Sequence, residues 1–481
     1  MNKKGKVLFI IHDVYQDDNE FPLGVAYLAA VLKRAGVEVD IACQDVYHWS
    51  NEELAEKFLK TKEYDLIGIG FLAARFKETV LPLCKTVNKY KKNGWLVLGG
   101  HGASPIADYV LKKTEADVVA IGEAEETIVE LLNCKTKGSD LSKVRSIVYR
   151  TGNDIVFTER RPVIRNLDSI PFPEWSLFPM DKYVNSIVPF GAEKDVKRIG
   201  MLSSRGCINR CNFCYRMEMG IRLRSTENII EEMKLLNQKY GITYFGMYDE
   251  LFCFPKKKTI DFCKAIKNEN LKIGFDCNAR VDIFDEETAV YLKEAGCTFL
   301  NFGMESSSQK VLDLMKKNTT VEQNIEAAEI ARKAGIGLGL NFLLGNKGDT
   351  KKSLWGNVEL IKKYNYYDQV RTIRPPTPYP GCPLYYEAIE KGLLKGPEDF
   401  FDKFKNSDLL LVNFTNIPEQ EFYKLLFEAN KDLLTDHFQH TTGDMEAANN
   451  YIQGFYDLYF GGKLDFRGAR HYEKGNKDLK N

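Results

Sequence analysis

Three cysteines within eight residues, Cys207, Cys211 and Cys214, constrain this chain more than any other stretch. They sit in Ser203-Ser204-Arg205-Gly206-Cys207-Ile208-Asn209-Arg210-Cys211-Asn212-Phe213-Cys214-Tyr215, at C-x3-C-x2-C spacing, just after an apolar run that begins at Ile199. Thiolates are soft ligands that suit iron–sulfur clusters or zinc. A cubane normally takes four of them, so three in one tight loop leave one iron without a protein ligand. An open position separates catalytic from structural zinc, and by the same logic this loop is a place for chemistry. A disulfide reading uses two thiols and needs an oxidising compartment, for which the sequence carries no signal. Structural zinc needs a fourth ligand, from Cys253 or a distant histidine, and no second C-x2-C pair follows. Single cysteines are often core filler, and Cys253, Cys263, Cys277 and Cys297 read that way.

A length of 481 residues is enough for two to four domains with large cores. Hydrophobic residues at 44% and charged residues at 28% describe an ordinary soluble globular chain. Lys and Arg number 67, as do Asp and Glu, so no basic field points to nucleic acid. The basic start Met1–Lys6 leads into Val7–Ile11, which ends at His12-Asp13 and reads as a strand, not a signal-peptide core. No apolar run approaches the ~20 residues of a membrane span. The expected compartment is the cytoplasm, where the 11 cysteines stay reduced.

Four regions are expected. Residues 1–135 alternate strand and helix: strands at Lys6–Ile11, Val37–Ala42, Leu66–Phe71, Trp95–Leu98 and Val118–Ile121, helices at Leu23–Arg34, Glu52–Thr61, Lys77–Lys91, Ile106–Lys113 and Glu125–Leu132. That alternation predicts a doubly wound, Rossmann-like α/β sheet with its ligand beyond the carboxyl ends of the strands. Those ends carry Gly68 and Gly70, then Gly99-Gly100-His101-Gly102, then Gly122-Glu123. Glycine permits close approach to a bulky ligand, and is also ordinary turn chemistry. The first turn has no G-x-G-x-x-G, which disfavours a dinucleotide. Residues 136–198 read as a connector with a hairpin at Ser146–Arg150 and Asp154–Thr158, then proline-broken chain.

Residues 199–385 repeat strand and helix six times, with strands at Ile199–Leu202, Thr243–Met247, Ile273–Cys277, Phe299–Phe302, Gly337–Leu344 and Gln369–Ile373. A partial (β/α)6, TIM-like barrel follows, with chemistry expected in the carboxyl-end loops. Residues 386–481 form a helical region with amphipathic helices at Glu419–Leu434 and Met445–Leu458 and a frayed end. Phe400, Phe401, Phe404 and Tyr423 read as packing residues.

The cysteine loop, with Phe213 just before the last cysteine, resembles the cluster loop of the radical S-adenosylmethionine enzymes. Pro22-Leu23-Gly24-Val25-Ala26-Tyr27-Leu28-Ala29, Gly99-Gly100-His101 and Gly122-Glu123-Ala124-Glu125-Glu126-Thr127 resemble the cobalamin-binding domain that precedes many of them. The resemblance implies a 4Fe-4S cluster on Cys207, Cys211 and Cys214, S-adenosylmethionine, and cobalamin held near Leu23, Gly24, Gly70, Gly99, Gly100, His101, Gly122 and Glu123. The D-x-H-x-x-G loop that supplies a lower histidine to cobalt elsewhere is absent; the domain's histidines are His12, His48 and His101. Cobalamin would then lack that ligand, and an empty, substrate-shaping domain stays open.

For S-adenosylmethionine the resemblance implies Asp249 or Glu250 at the amino group, Arg280 at the carboxylate and Glu305 at the ribose, with Gly345 and Phe213 by the adenine. The family's Gly-Gly-Glu is not reproduced at Tyr248-Asp249-Glu250; Arg280 and Glu305 taken singly also read as structural ion-pair members, and their repeated placement after consecutive strands favours the functional reading. The implied function is methylation of an unactivated carbon of a small-molecule or peptide substrate, through a 5′-deoxyadenosyl radical and methylcobalamin. The implied electron donor is a flavodoxin or ferredoxin. Two alternatives stay open: radical cyclisation, rearrangement or redox chemistry without methyl transfer, as in the anaerobic magnesium-protoporphyrin cyclases, and a non-catalytic cobalamin- or metal-responsive binding protein. No spacing singles out a residue that quenches a substrate radical.

Overall fold

The computed structural model describes residues 5–14, 20–73, 75–184, 196–365 and 369–464; the end expected to fray lies outside these. The chain forms two compact units. The first falls within Met1–Val188, Lys197–Gly206 and Arg216–Ile242, the second within Pro189–Val196, Cys207–Tyr215 and Thr243–Asn481.

The first unit is built on β1 (Lys6–Ile11), β2 (Glu38–Cys43), β3 (Leu66–Gly70), β4 (Trp95–Gly99), β5 (Val118–Ala120), β6 (Ile147–Thr151) and β7 (Asp154–Phe157), ordered β2-β1-β3-β4-β5-β6-β7. The strands β1 to β5 pair in parallel. Val7, Leu8 and Ile10 are wholly buried, as expected where helices cover both faces and strands become continuous apolar runs. Gly68 is required by packing, since a Cβ there would lie 2.6 Å from the Phe9 ring. The order reverses between β1 and β3, which puts a ligand crevice at the carboxyl edge there.

The hairpin expected in the connector is part of this sheet: β6 pairs antiparallel with β5, and β7 with β6. It covers the edge of β5, whose unpaired backbone would otherwise be open. Two helices differ from expectation. The segment from Asn51 is a short helix to Leu54, capped by a Ser50–Glu53 box, that widens into a π-turn over Ala55–Leu59. A second π-turn, Phe76–Val80, precedes helix Leu81–Tyr90, where Pro82 has no N–H to continue the tighter ladder.

Just past β2, Asp45 is buried and accepts from the Tyr183 hydroxyl at 2.9 and 3.2 Å. Burial pushes its carboxyl up to about 7, against the opposing pull of Tyr183. The folded chain therefore holds a proton that an ordinary carboxyl near 3.8 has released. That stability is complete below about pH 4 and is lost as pH rises to about 7, a change of about 4 kcal/mol. Between about pH 4 and 7 the denaturant midpoint of the native protein should accordingly fall relative to that of Asp45→Asn. A difference between the two proteins that does not change with pH would refute the assignment.

Three short strands follow in chain order: β8 (Arg198–Met201), β9 (Ser204–Cys207) and β10 (Gly220–Leu223), the last two forming a two-stranded ribbon. The second unit carries β11 (Tyr244–Met247), β12 (Gly274–Ala279), β13 (Cys297–Glu305) and β14 (Gly337–Phe342), parallel and adjacent in that order. Helices Lys256–Asn268, Glu286–Glu294, Val321–Lys333 and Lys351–Tyr364 follow these strands in turn. Asp285, Thr320 and Thr350 cap the last three with side-chain acceptors. In β12 the alternation is clean: Phe275, Cys277 and Ala279 are buried, while Asp276 and Asn278 are half-buried.

The sixth strand expected at Gln369–Ile373 is not formed; it is reduced to one parallel bridge between Leu343 and Arg374. Asn430 takes its backbone instead, accepting from the Ile373 N–H at 2.8 Å and donating to the Ile373 carbonyl at 3.1 Å. Asn430 lies on helix Glu419–His440, which packs with helix Met445–Tyr459 around Val370, Leu434, Phe438, Tyr451 and Phe455. Phe400 is fully buried and stacks on Phe404 at 5.2 Å, a packing role.

Candidate cluster and cofactor site

The cysteine loop is pinned at Asn212. Its N–H donates to the Met315 carbonyl at 3.0 Å, its carbonyl accepts from the Leu384 N–H at 2.8 Å, and its amide reaches the Leu314 carbonyl at 3.3 Å. Cys211 is buried, Cys207 half-buried and Cys214 exposed. The Cys207 sulfur receives the Asn209 N–H at 3.5 Å and the Asn209 amide at 3.6 Å. Donation from the Cys214 thiol brings Cys211 down to about 6, helped by the positive fields of Lys317 and Arg280. Cys214, as the donor, is held protonated. Ligating thiols must be deprotonated, so these surroundings favour the ligating form at Cys211, while Cys214 must give up its proton on binding. Among the described residues no three His, Cys, Asp or Glu side chains gather closely enough for one metal ion. Three soft thiols from one short loop match what a four-iron cube takes when one iron is left without a protein ligand. The donor set fits the cube.

Beside the loop, the ends of β12 and β13 bring charged groups together. Arg280 is 7% exposed and directs Nη1 at the Cys211 sulfur, 3.8 Å away. Its other nitrogens bond Asp282 at 2.9 and 3.0 Å and the Lys317 carbonyl at 2.8 Å. Glu305 accepts from Lys317 Nζ at 3.0 Å, with both side chains under a tenth exposed. The same Nζ lies 5.8 Å from the Phe213 ring centre. A register shift between Gly303 and Glu305 bends β13, and Glu305 takes φ +66°. A non-glycine residue there costs about 1–3 kcal/mol. Gly303 leaves the room, since a Cβ on it would sit 2.4 Å from Glu305 Oε1 and 2.9 Å from Lys317 Nζ.

The two carboxylates after β11 part company: Asp249 is fully buried and Glu250 exposed. Asn278 donates to the Asp249 carbonyl at 3.3 Å and accepts from Asn301 at 3.0 Å, and Asn301 accepts from Asn341 at 2.7 Å. This amide ladder runs across β12, β13 and β14. Gly345 has φ +125°, and its Cα packs toward Pro376 and Leu410. Sequence reasoning missed Lys317 and the ladder. Lys317 sits in Lys316-Lys317-Asn318, which reads as a solvated charge run until positive φ at Lys316 and Asn318 turns it inward.

In the first unit, Gly70 pairs in register with Gly99 at the carboxyl edge. Gly24 and Gly70 are exposed, and a Cβ on either would meet nothing within 4 Å. Leu72, just after β3, is 66% exposed, and His101 is exposed beside Gly100. Leu23 is buried at the start of its helix. An open, glycine-lined edge with an uncovered apolar side chain fits a large planar cofactor. His12 and His48 are engaged elsewhere, with Thr79 at 3.1 Å and Asp13 at 3.0 Å. Glu123 turns away from open space: Oε1 receives Arg205 at 3.1 Å and Arg222 at 2.9 Å, and Oε2 receives Arg222 at 2.7 Å. Gly122, with φ +78°, faces the Arg160–Glu218 pair.

Residues 201–361 match the Radical SAM superfamily and residues 16–132 the B12 binding domain. An uncharacterized methyltransferase of Pyrococcus horikoshii is 31% identical over 461 residues, covering 91% of this chain and 94% of that protein. The anaerobic magnesium-protoporphyrin IX monomethyl ester cyclase of Cereibacter sphaeroides is 28% identical over 387 residues, 77% of this chain and 60% of the cyclase. The solved radical S-adenosylmethionine methyltransferase TsrM from Kitasatospora setae, with tryptophan substrate and a cofactor analogue bound, superposes with a TM-score of 0.72 over 98% of both chains at 16% identity. At that identity the likeness shows the fold. No described helix is long and apolar enough to cross a membrane. The cofactor set is a 4Fe-4S cluster, S-adenosylmethionine and cobalamin. The chain belongs to the cobalamin-binding radical S-adenosylmethionine enzymes.

Proposed function

We propose that this enzyme methylates an unactivated carbon of a small-molecule or peptide substrate in the cytoplasm, with a flavodoxin or ferredoxin as electron donor. The observation that carries the reading is similarity to a methyltransferase along nine-tenths of the chain, across both cofactor modules. Cys207, Cys211 and Cys214 hold the cluster. When bound, the cluster supplies the electron for reductive cleavage of the sulfonium, and cobalamin supplies a methyl carrier. Arg280 and Lys317 receive the methionyl carboxylate, for which a forked guanidinium is suited. Asp249 accepts from the methionyl ammonium, Glu305 accepts from the ribose hydroxyls, and Phe213 packs on the adenine with Gly345 nearby. Leu23, Gly24, Gly70, Gly99, Gly100, His101 and Gly122 border the cobalamin.

Methyl transfer is tested with reconstituted, anaerobic holoenzyme, reduced cobalamin and methyl-labelled S-adenosylmethionine. The expected products are S-adenosylhomocysteine and, on turnover, 5′-deoxyadenosine with a substrate heavier by one methyl. A second reading, ring formation, is favoured by the similarity to the cyclase. It predicts 5′-deoxyadenosine without S-adenosylhomocysteine, and that result would end the methyl-transfer reading.

A further inference from the structure

We propose that Glu123 and Glu125 are positioning residues for the cluster loop, acting through Arg205, rather than contacts for cobalamin. The inference rests on Cys207 being a cluster ligand. Arg205 stands two residues before Cys207 in β9. Its Nη1 lies 3.1 Å from Glu123 Oε1 and its Nη2 2.6 Å from Glu125 Oε1. The guanidinium also lies 5.0 Å from the Tyr27 ring centre. Glu123 is gripped from its other side by Arg222 of β10, whose Nη1 also reaches the Ile164 carbonyl at 2.9 Å. Both strands of the ribbon that ends at Cys207 are thus tied to the turn after β5. Gly206, between Arg205 and Cys207, has φ +88°, and a Cβ there would sit 2.3 Å from the Gly220 carbonyl oxygen. The two strands of the ribbon thus approach too closely at Gly206 for any side chain there.

Stability alone does not explain the arrangement, because buried ion pairs return about what their desolvation costs. Forked guanidinium–carboxylate pairs supply direction. Glu123 already accepts three hydrogen bonds, close to a carboxylate's capacity of about four.

The test uses the full chain, reconstituted anaerobically with iron, sulfide and cobalamin. It follows iron transfer to a chelator and, separately, retained cobalamin by absorbance. Glu123→Gln and Arg205→Gln are expected to lose iron on the order of 10–100-fold faster, with cobalamin content unchanged. Arg205→Lys should restore part of the retention. Glu130→Gln breaks a pair with Arg161 farther along the same helix and should behave as native. Should Glu123→Gln be insoluble, Glu125→Gln carries the same comparison. Loss of cobalamin with native iron retention would make Glu123 a cobalamin contact and overturn the proposal. Unchanged release, or loss of iron and cobalamin together, overturns it too. A native chain that takes up no iron–sulfur cluster would instead remove the cysteine assignment on which the proposal stands.

Discussion

Exchange of Cys211 for alanine is expected to abolish the cluster and, with it, cleavage of S-adenosylmethionine, which should fall to the level of a protein-free control. On the proposed ligand set three thiols serve a cube with four irons, so none is spare, and removing one leaves two irons without protein ligands. Cys211 is also the thiol whose surroundings most favour the thiolate: it receives the Cys214 thiol and lies in the field of Lys317 and Arg280, which brings it down to about 6. Cys207→Ala and Cys214→Ala should give the same loss. Iron analysis and the charge-transfer absorbance of the anaerobically reconstituted protein check it, with native protein at about four irons per chain. Cobalamin uptake, which depends on the other unit, should persist. A variant that keeps native iron content would refute the ligand set.

The second large effect is expected at Lys317. Its ammonium is the partner of Glu305 at 3.0 Å, with side chains 7% and 9% exposed. Lys317→Met keeps the volume and removes the charge, leaving a buried carboxylate bent into place at positive φ without its cation. Breaking such a pair from one side costs about 3–5 kcal/mol. Adding Glu305→Gln removes the stranded charge and should return much of that loss, so the double variant should be more stable than Lys317→Met alone. Denaturant unfolding of the three variants measures the coupling; a double variant that adds the two single losses would deny the pair any role. S-adenosylmethionine affinity should not recover with stability, because the proposed Lys317 contact to its carboxylate is absent in both, with Arg280 alone remaining.

Much of this protein is local in origin. The parallel strands of the first unit are readable because burial on both faces turns Lys6–Ile11 and Leu66–Gly70 into apolar runs. The cluster loop is readable because ligand spacing is a property of adjacent residues. Arg280 and Glu305 stood out only because each stands at the carboxyl end of its strand, one just past β12 and one closing β13. The sixth strand failed because Asn430, 57 residues downstream, claims the Ile373 backbone. The hairpin at residues 147–157 has its own turn chemistry, yet its sequence says nothing of the β5 edge it joins. Glu250 and Asp249 are equal in sequence, and only folding buries one of them.

The chain by itself determined most of the strands and helices, where the thiols lie and which residue types crowd the strand ends, since periodicity, capping and ligand spacing act over a few residues. Tertiary structure alone decided the pairings: Lys317 with Glu305, Arg205 with Glu123 and Glu125, and Asn278 with Asn301 and Asn341. A charge or an amide carries no mark of its partner. Burial selects it, because only a buried polar group must find one.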